Sequence, residues 1–179
     1  MINEKLKKLL LGKKPNMLFY PNLNFSGLVE LLENSDYDFI GTQLNGPSGM
    51  ATHGKSYYDI DKLSNQPPQY RFFVILHEFG HMLRINKMGK EEMIRKLSND
   101  SFDEFFEHII SEELFADRFA SIMYYRLNGV GFPKYMTQQL DVKSNREDYI
   151  PKAKPLFGVI KDEESYDKVM KCFILEDLV

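Results

Sequence analysis

Apolar side chains run unbroken from Phe72 to Leu76 and return at Phe79, Met82, Leu83 and Ile85. Neither a surface helix nor a half-buried strand shows that pattern, so the segment reads as a helix through the middle of the fold. Pro67-Pro68 blocks an earlier start and Gly89 lies beyond the end, which predicts a helix from about Gln69 or Tyr70 to about Asn86. A second long helix is expected from Ser101, where Ser101-Phe102-Asp103-Glu104 has capping-box spacing, to Asn128-Gly129. Along it, Phe106, Ile109, Ile110, Glu113, Ala116, Asp117 and Ala120 share one face by three- and four-residue steps. The apolar members turn that face inward, and the two alanines let another helix come close.

Around these helices the pattern predicts smaller elements. Ile2, Leu6, Leu9 and Leu10 suggest a short amphipathic helix, and Met17 to Tyr20, between prolines, a brief strand. Ser26 is expected to cap a helix carrying Leu28, Val29, Leu31 and Leu32 and ending near Asn34. Residues 38–44 read as a strand cut off by Asn45-Gly46-Pro47, with weaker strands at 50–52 and 56–60. A short helix at 91–97, a loop with at most one helical turn over 131–154, and a closing helix from Asp162 to Leu178 complete the reading. The closing helix carries a stripe of Tyr166, Val169, Met170, Phe173 and Ile174, with Cys172 expected to be a small buried residue. The expected class is α+β, a small mixed sheet packed on the central helix, in one domain over 1–179 with its core at about 57–128.

Three polar residues interrupt the apolar helix. His77 and His81 stand four residues apart, so both imidazoles reach one point on one face. Glu78 follows, rotated by roughly 100°, which puts its carboxylate beside that point. Buried without partners these groups would be costly. Hydrogen-bonded core histidines are one solution; two zinc ligands with an adjacent general base are the other, and the complete His-Glu-x-x-His pattern favours zinc.

A third ligand is expected from the second long helix. Glu113 and Asp117 lie on its inward face one turn apart, so Glu113 can complete the metal set while Asp117 accepts the free ring N–H of a ligating histidine. The alternative is pairing of both carboxylates with Arg84, Arg95 or Arg118. Glu112 is the rival ligand, on the face of His108, Phe115 and Phe119. A donor for a developing oxyanion would also be required, and His53, His108, Tyr57, Tyr58, Tyr124 and Tyr125 are candidates.

Charge and composition narrow the partners. The chain of 179 residues has a net charge of −3 with both signs interspersed, which does not indicate nucleic acid or an acidic membrane surface. One cysteine excludes both an intramolecular disulfide and a cysteine-cluster metal site. The first apolar run, Leu9-Leu10-Leu11, is too short for a signal sequence, so a cytoplasmic protein is expected.

Taken together, His77-Glu78-Phe79-Gly80-His81 and Glu113-Leu114-Phe115-Ala116-Asp117 resemble the two motifs of the zincin metallopeptidases whose third ligand is a glutamate. Lys87 stands where zincins with a third histidine carry it. The lead-in 71–76 and the tail 116–120 are further similar to the ImmA/IrrE group of small cytoplasmic metallopeptidases, over about 57–126. The resemblance implies zinc held by His77, His81 and Glu113, with Glu78 as the base and Asp117 behind a histidine. It also implies a protein or peptide substrate, with limited cleavage of a regulatory protein as the associated role. A zincin fold kept only for binding, or a structural zinc domain, would use the same motifs without turnover.

Overall fold

The computed structural model describes residues 24–33, 37–133, 136 and 145–175. The helix expected at 2–11 and the strand at 17–20 lie outside them. Helix α1 (Phe25–Glu33) buries Leu28, Leu31 and Leu32. It is capped by Asn24 rather than by Ser26: the Asn24 side-chain oxygen accepts the Gly27 N–H at 2.8 Å. Asparagine serves this position as well as serine.

Strands β1 (Asp38–Leu44), β2 (Gly49–Thr52) and β3 (Lys55–Asp59) form a mixed sheet with β4 (Ile174–Leu175), in the order β2-β3-β1-β4. β2 and β3 are an antiparallel hairpin, β3 runs parallel to β1, and β4 pairs antiparallel with the end of β1. Among the described residues β2 is therefore an edge. β3 stops before Ile60, which had been expected within the strand, because Asp59 caps helix α2 (Ile60–Ser64). One Asp59 oxygen accepts the Lys62 N–H at 2.8 Å and the other the Leu44 N–H at 2.7 Å. A nearly buried carboxylate thus ties the turn after β3 to the end of β1.

Helix α3 (Pro68–Met88) is the central helix, with Pro68 in its first turn, where the missing N–H removes no bond. It extends two residues past the expected end. Phe72, Phe73, Val74, Ile75, Leu76, Phe79 and Met82 are all buried, and they form the main core with α1, β1, β3 and the distal half of α5. α4 (Lys90–Leu97) leads to α5 (Phe102–Asn128). The Ser101 hydroxyl accepts the Glu104 N–H at 3.4 Å, but the Glu104 carboxylate accepts from Asn99 at 2.6 Å, so only half of the expected capping box is used. Gly129, left-handed at φ +74°, ends the helix.

Beyond α5, a 3₁₀ turn (Arg146–Tyr149) runs into the single turn α6 (Ile150–Ala153), which packs on a second core around Phe105, Phe106 and Ile110. Helix α7 (Glu163–Phe173) starts from a complete capping box between Asp162 and Ser165 and docks Tyr166 against Met93. Two expectations fail here. The chain leaves the helix at Ile174 to pair with Leu44, so the apolar stripe ends in a strand, and Cys172 is exposed. Among the described residues no helix is long and apolar enough to cross a membrane.

The pairing of α3 with α5 positions everything that follows. Ala116 and Ala120 are fully buried on α5, and on α3 a Cβ built at Gly80 would lie 2.8 Å from the Phe119 ring. Gly80→Ala should gain up to about 1 kcal/mol of helix propensity but lose about 1–3 kcal/mol by overpacking. The expected net result is a lower urea midpoint; an unchanged or raised midpoint would show that the helices can separate freely.

Candidate metal centre

His77 and His81 project from the middle of α3 toward α5, where Glu113 meets them. The two histidine Nε2 atoms are 3.0 Å apart, and the Glu113 carboxylate puts Oε2 3.3 Å from His77 Nε2 and Oε1 3.3 Å from His81 Nε2. These three residues form a group close enough to hold a metal ion. All three side chains are largely buried, at 12%, 13% and 25% exposure. Phe73, one turn earlier on α3, packs its ring 5.3 Å from the His77 imidazole and limits its rotation.

Asp117 lies where the sequence suggested, one turn after Glu113. Its Oδ1 is 2.9 Å from His77 Nδ1. In the neutral imidazole Nδ1–H donates to Asp117, which leaves the Nε2 lone pair facing His81 and Glu113. Three acceptor positions then converge, and a cation is what would relieve them. Glu112 turns away: its Oε1 accepts from Arg84 Nε at 2.8 Å, and the Arg84 guanidinium lies 4.7 Å over the Phe115 ring. Glu112 is more buried than Glu113, so the arginine is the partner its burial requires. The two adjacent glutamates thus differ in the neighbour each one meets, two imidazoles for Glu113 and a guanidinium for Glu112.

Glu78 lies on the β2 side of the group. A Cβ at Gly49 would fall 2.4 Å from Glu78 Cγ and 3.0 Å from Oε1. The side chain therefore lies directly on the strand backbone, in space that only glycine leaves open. Sequence reading gave Gly49 no role, since a glycine beside a loop signals a turn before it signals a contact. Burial raises the pKa of Glu78; His77 and His81 oppose that shift, and the Glu113 charge adds to it. A carboxylate so placed holds a proton more readily than an exposed one.

Among themselves His77, His81, Glu113 and Asp117 form an ion-pair cluster. Burial by itself would lower the His77 pKa, but the hydrogen bonds to Asp117 and Glu113 outweigh it and lift it to about 10. Burial opposes the ionisation of Glu113 too, yet its bonds to both histidines hold it far below the ordinary carboxylate range. Asp117 is raised by burial, against its bond to His77.

The oxyanion-donor candidates scatter. Tyr58 stacks on Phe39 at 5.0 Å and Tyr124 on Phe132 at 4.0 Å, both buried in the main core. His53 is exposed in the β2–β3 turn, Tyr57 is half-buried on β3, and Tyr125 is exposed. His108 faces Glu112, with Nδ1 at 3.7 Å from Oε1. A residue outside that set, Tyr149, stands within the electrostatic reach of Glu113 and Asp117: burial first, then those two charges, raise its pKa. Its surroundings in the sequence read as polar loop, so no local signal marks it.

Comparison with family models, with curated proteins and with solved structures returned no match.

A metal ion requires His77 neutral, whereas the metal-free protein keeps it protonated up to about pH 10. Metal uptake at pH 7 should therefore release about one proton, and affinity should fall by about tenfold per unit as pH drops below that range. Calorimetry in buffers of different ionisation heat reads the proton directly. Uptake without proton release would show that His77 is already neutral.

Proposed function

We propose that this chain is a zinc-dependent metallopeptidase of the zincin type, with His77, His81 and Glu113 as ligands and Glu78 as general base. The observation that carries the reading is the triangle of Nε2, Nε2 and carboxylate oxygens at 3.0, 3.3 and 3.3 Å, with Glu78 held beside it on β2. Tetrahedral bonds of about 2.0–2.1 Å place ligands roughly 3.3 Å apart, which matches zinc. Two imidazoles also favour zinc over magnesium or calcium, which take oxygen ligands. Three protein ligands fit a catalytic site that keeps one position open, whereas structural sites use four.

Zinc held there would polarise a peptide carbonyl and acidify a water. The protein's own residues supply the rest. Glu78 takes the water's proton and later delivers it to the departing amine. Asp117 holds His77 in the tautomer that leaves Nε2 free. β2, an edge strand among the described residues and packed beside α3, would offer main-chain groups to an extended peptide. The ordinary charge balance and the single cysteine suit a protein or peptide substrate in a reducing cytoplasm, and limited cleavage of a regulatory protein is the role that the ImmA/IrrE resemblance implies.

The test starts from metal content. Untagged protein should carry about one zinc per chain, lost in His77→Ala and in Glu113→Ala but kept in Glu112→Ala. Glu78→Gln should keep the metal and lose about 10²–10⁴-fold of its turnover on a casein peptide mixture. Gly49→Ala should also keep the metal while losing at least about tenfold, because the new methyl displaces Glu78. Metal retention in Glu113→Ala with loss in Glu112→Ala would overturn the ligand set. A wild-type protein that binds zinc but cleaves nothing would turn the reading toward a zincin fold used for binding.

A further inference from the structure

We propose that Lys62 is a positioning residue for Glu78: its ammonium gathers the carbonyl oxygens of the β1–β2 turn as a bound cation would, and the turn so fixed holds Gly49 against the Glu78 side chain. The assignment rests on the peptidase reading of the metal centre.

β1 ends at Leu44, and residues 45–48 turn the chain into β2 at Gly49. Gly46, at φ +103°, takes a bend that other residues adopt only with strain. Three carbonyl oxygens of this stretch meet one side chain. Lys62 Nζ donates to the carbonyl oxygens of Leu44, of Pro47 at 3.2 Å and of Gly46 at 3.3 Å. An ammonium has three N–H bonds and no acceptor, so its donors match these three oxygens. The Asp59 carboxylate supplies the balancing charge, with Oδ2 3.3 Å from Nζ and its side chain only 4% exposed. Oxygens so converged repel one another unless a positive charge stands between them.

Asp59 grips the same turn from β3. Its Oδ2 accepts the Leu44 N–H at 2.7 Å, and its own N–H donates to the Ser48 carbonyl at 2.9 Å. The Asn45 N–H donates to the Phe173 carbonyl at 2.8 Å. Each residue from 44 to 48 is thus held by a group distant in sequence, and the next residue is Gly49.

Gly49 converts that hold into a position for Glu78. A Cβ there would meet Glu78 Cγ at 2.4 Å and Oε1 at 3.0 Å, so the strand backbone forms one wall of the space in which the carboxylate turns. Two things set that wall, the pairing of Gly49 with Tyr58 on β3 and the turn that precedes it. Lys62 sits on α2, outside the strands, and its side chain is 38% exposed. Its charge can therefore be withdrawn, and returned from solvent, without altering the sheet.

Chemical rescue on the full chain tests this, with a single casein-derived peptide that the wild type cleaves. Lys62→Ala removes a piece with the shape of propylammonium. The variant should keep its zinc and its KM but lose at least about tenfold in kcat, because a small displacement of a reacting group is costly in rate. Propylammonium chloride should restore most of that loss, whereas propan-1-ol or sodium chloride at the same concentration should not. Lys62→Met keeps the stem without the charge, so it should lose kcat to the same extent and stay unresponsive to propylammonium. Should the alanine variant not fold, the methionine variant decides alone. Wild-type kcat in either variant, loss of zinc along with the charge, or a loss in Lys62→Ala that propylammonium does not reverse overturns the assignment and leaves the peptidase reading standing. Failure of the wild type to bind zinc, or to cleave any casein peptide, overturns that reading and takes the role of Lys62 with it.

Discussion

The approach of α3 to α5 is the constraint on which the rest of the molecule depends. His77 and His81 on one helix and Glu113 on the other meet within 3.3 Å only because the helices touch through Gly80, Ala116 and Ala120. Larger side chains at these points would hold the backbones apart and leave three partly buried polar groups without partners, at about 1–3 kcal/mol each. Small residues and polar residues are therefore two halves of one arrangement. The aromatic and aliphatic residues of α3 supply the burial that keeps the helices together, each worth about 1.5–3 kcal/mol.

The same contact sorts the carboxylates. α5 carries Glu112, Glu113 and Asp117 within two turns, and each meets a different neighbour because successive residues are rotated by roughly 100°. Glu113 meets two imidazoles, Asp117 the far nitrogen of one of them, and Glu112 the Arg84 guanidinium. Arg84 comes from α3 as well, one turn beyond His81. One helix thus supplies both the two imidazoles that meet Glu113 and the cation that pairs with Glu112.

Much of this was legible in the chain, and the exceptions share a cause. Periodicity and punctuation gave the two long helices and the strand at 38–44, because Pro68, Ser101 and Gly129 act on their own neighbours. The convergence of His77 and His81 followed from helical spacing, and the inward place of Glu113 and Asp117 from three- and four-residue steps. What failed was decided by atoms distant in sequence or by a choice between equivalent local signals. Asn24 and Ser26 are both good caps, and only the folded turn selects Asn24. Ile174 continues a helical stripe, but pairing with Leu44 takes it into a strand, and Cys172 turns outward on the last turn before that change. Tyr149 lies 36 residues after Glu113 in a stretch whose composition says only loop, and its packing on the Phe105, Phe106 and Ile110 cluster is encoded by no local pattern.

Two glycines at the site differ in how they bear on the peptidase that we propose. Gly80 sits inside a helix, where it is less favourable than alanine by roughly 0.5–1 kcal/mol, and Gly49 opens a strand, where alanine would lose less chain entropy on folding. Gly80 explains itself through helix packing, which any metal site between α3 and α5 would need. Gly49 does not: the atoms nearest a side chain there all belong to Glu78, which the His77, His81 and Glu113 group does not require. A structural site would gain from a side chain at 49 and from an apolar residue at 78, since both changes remove a local penalty and the second removes a buried carboxylate. A glycine whose space serves only Glu78 suits the general base that we propose beside an open metal position, and a closed structural site would give no reason for it.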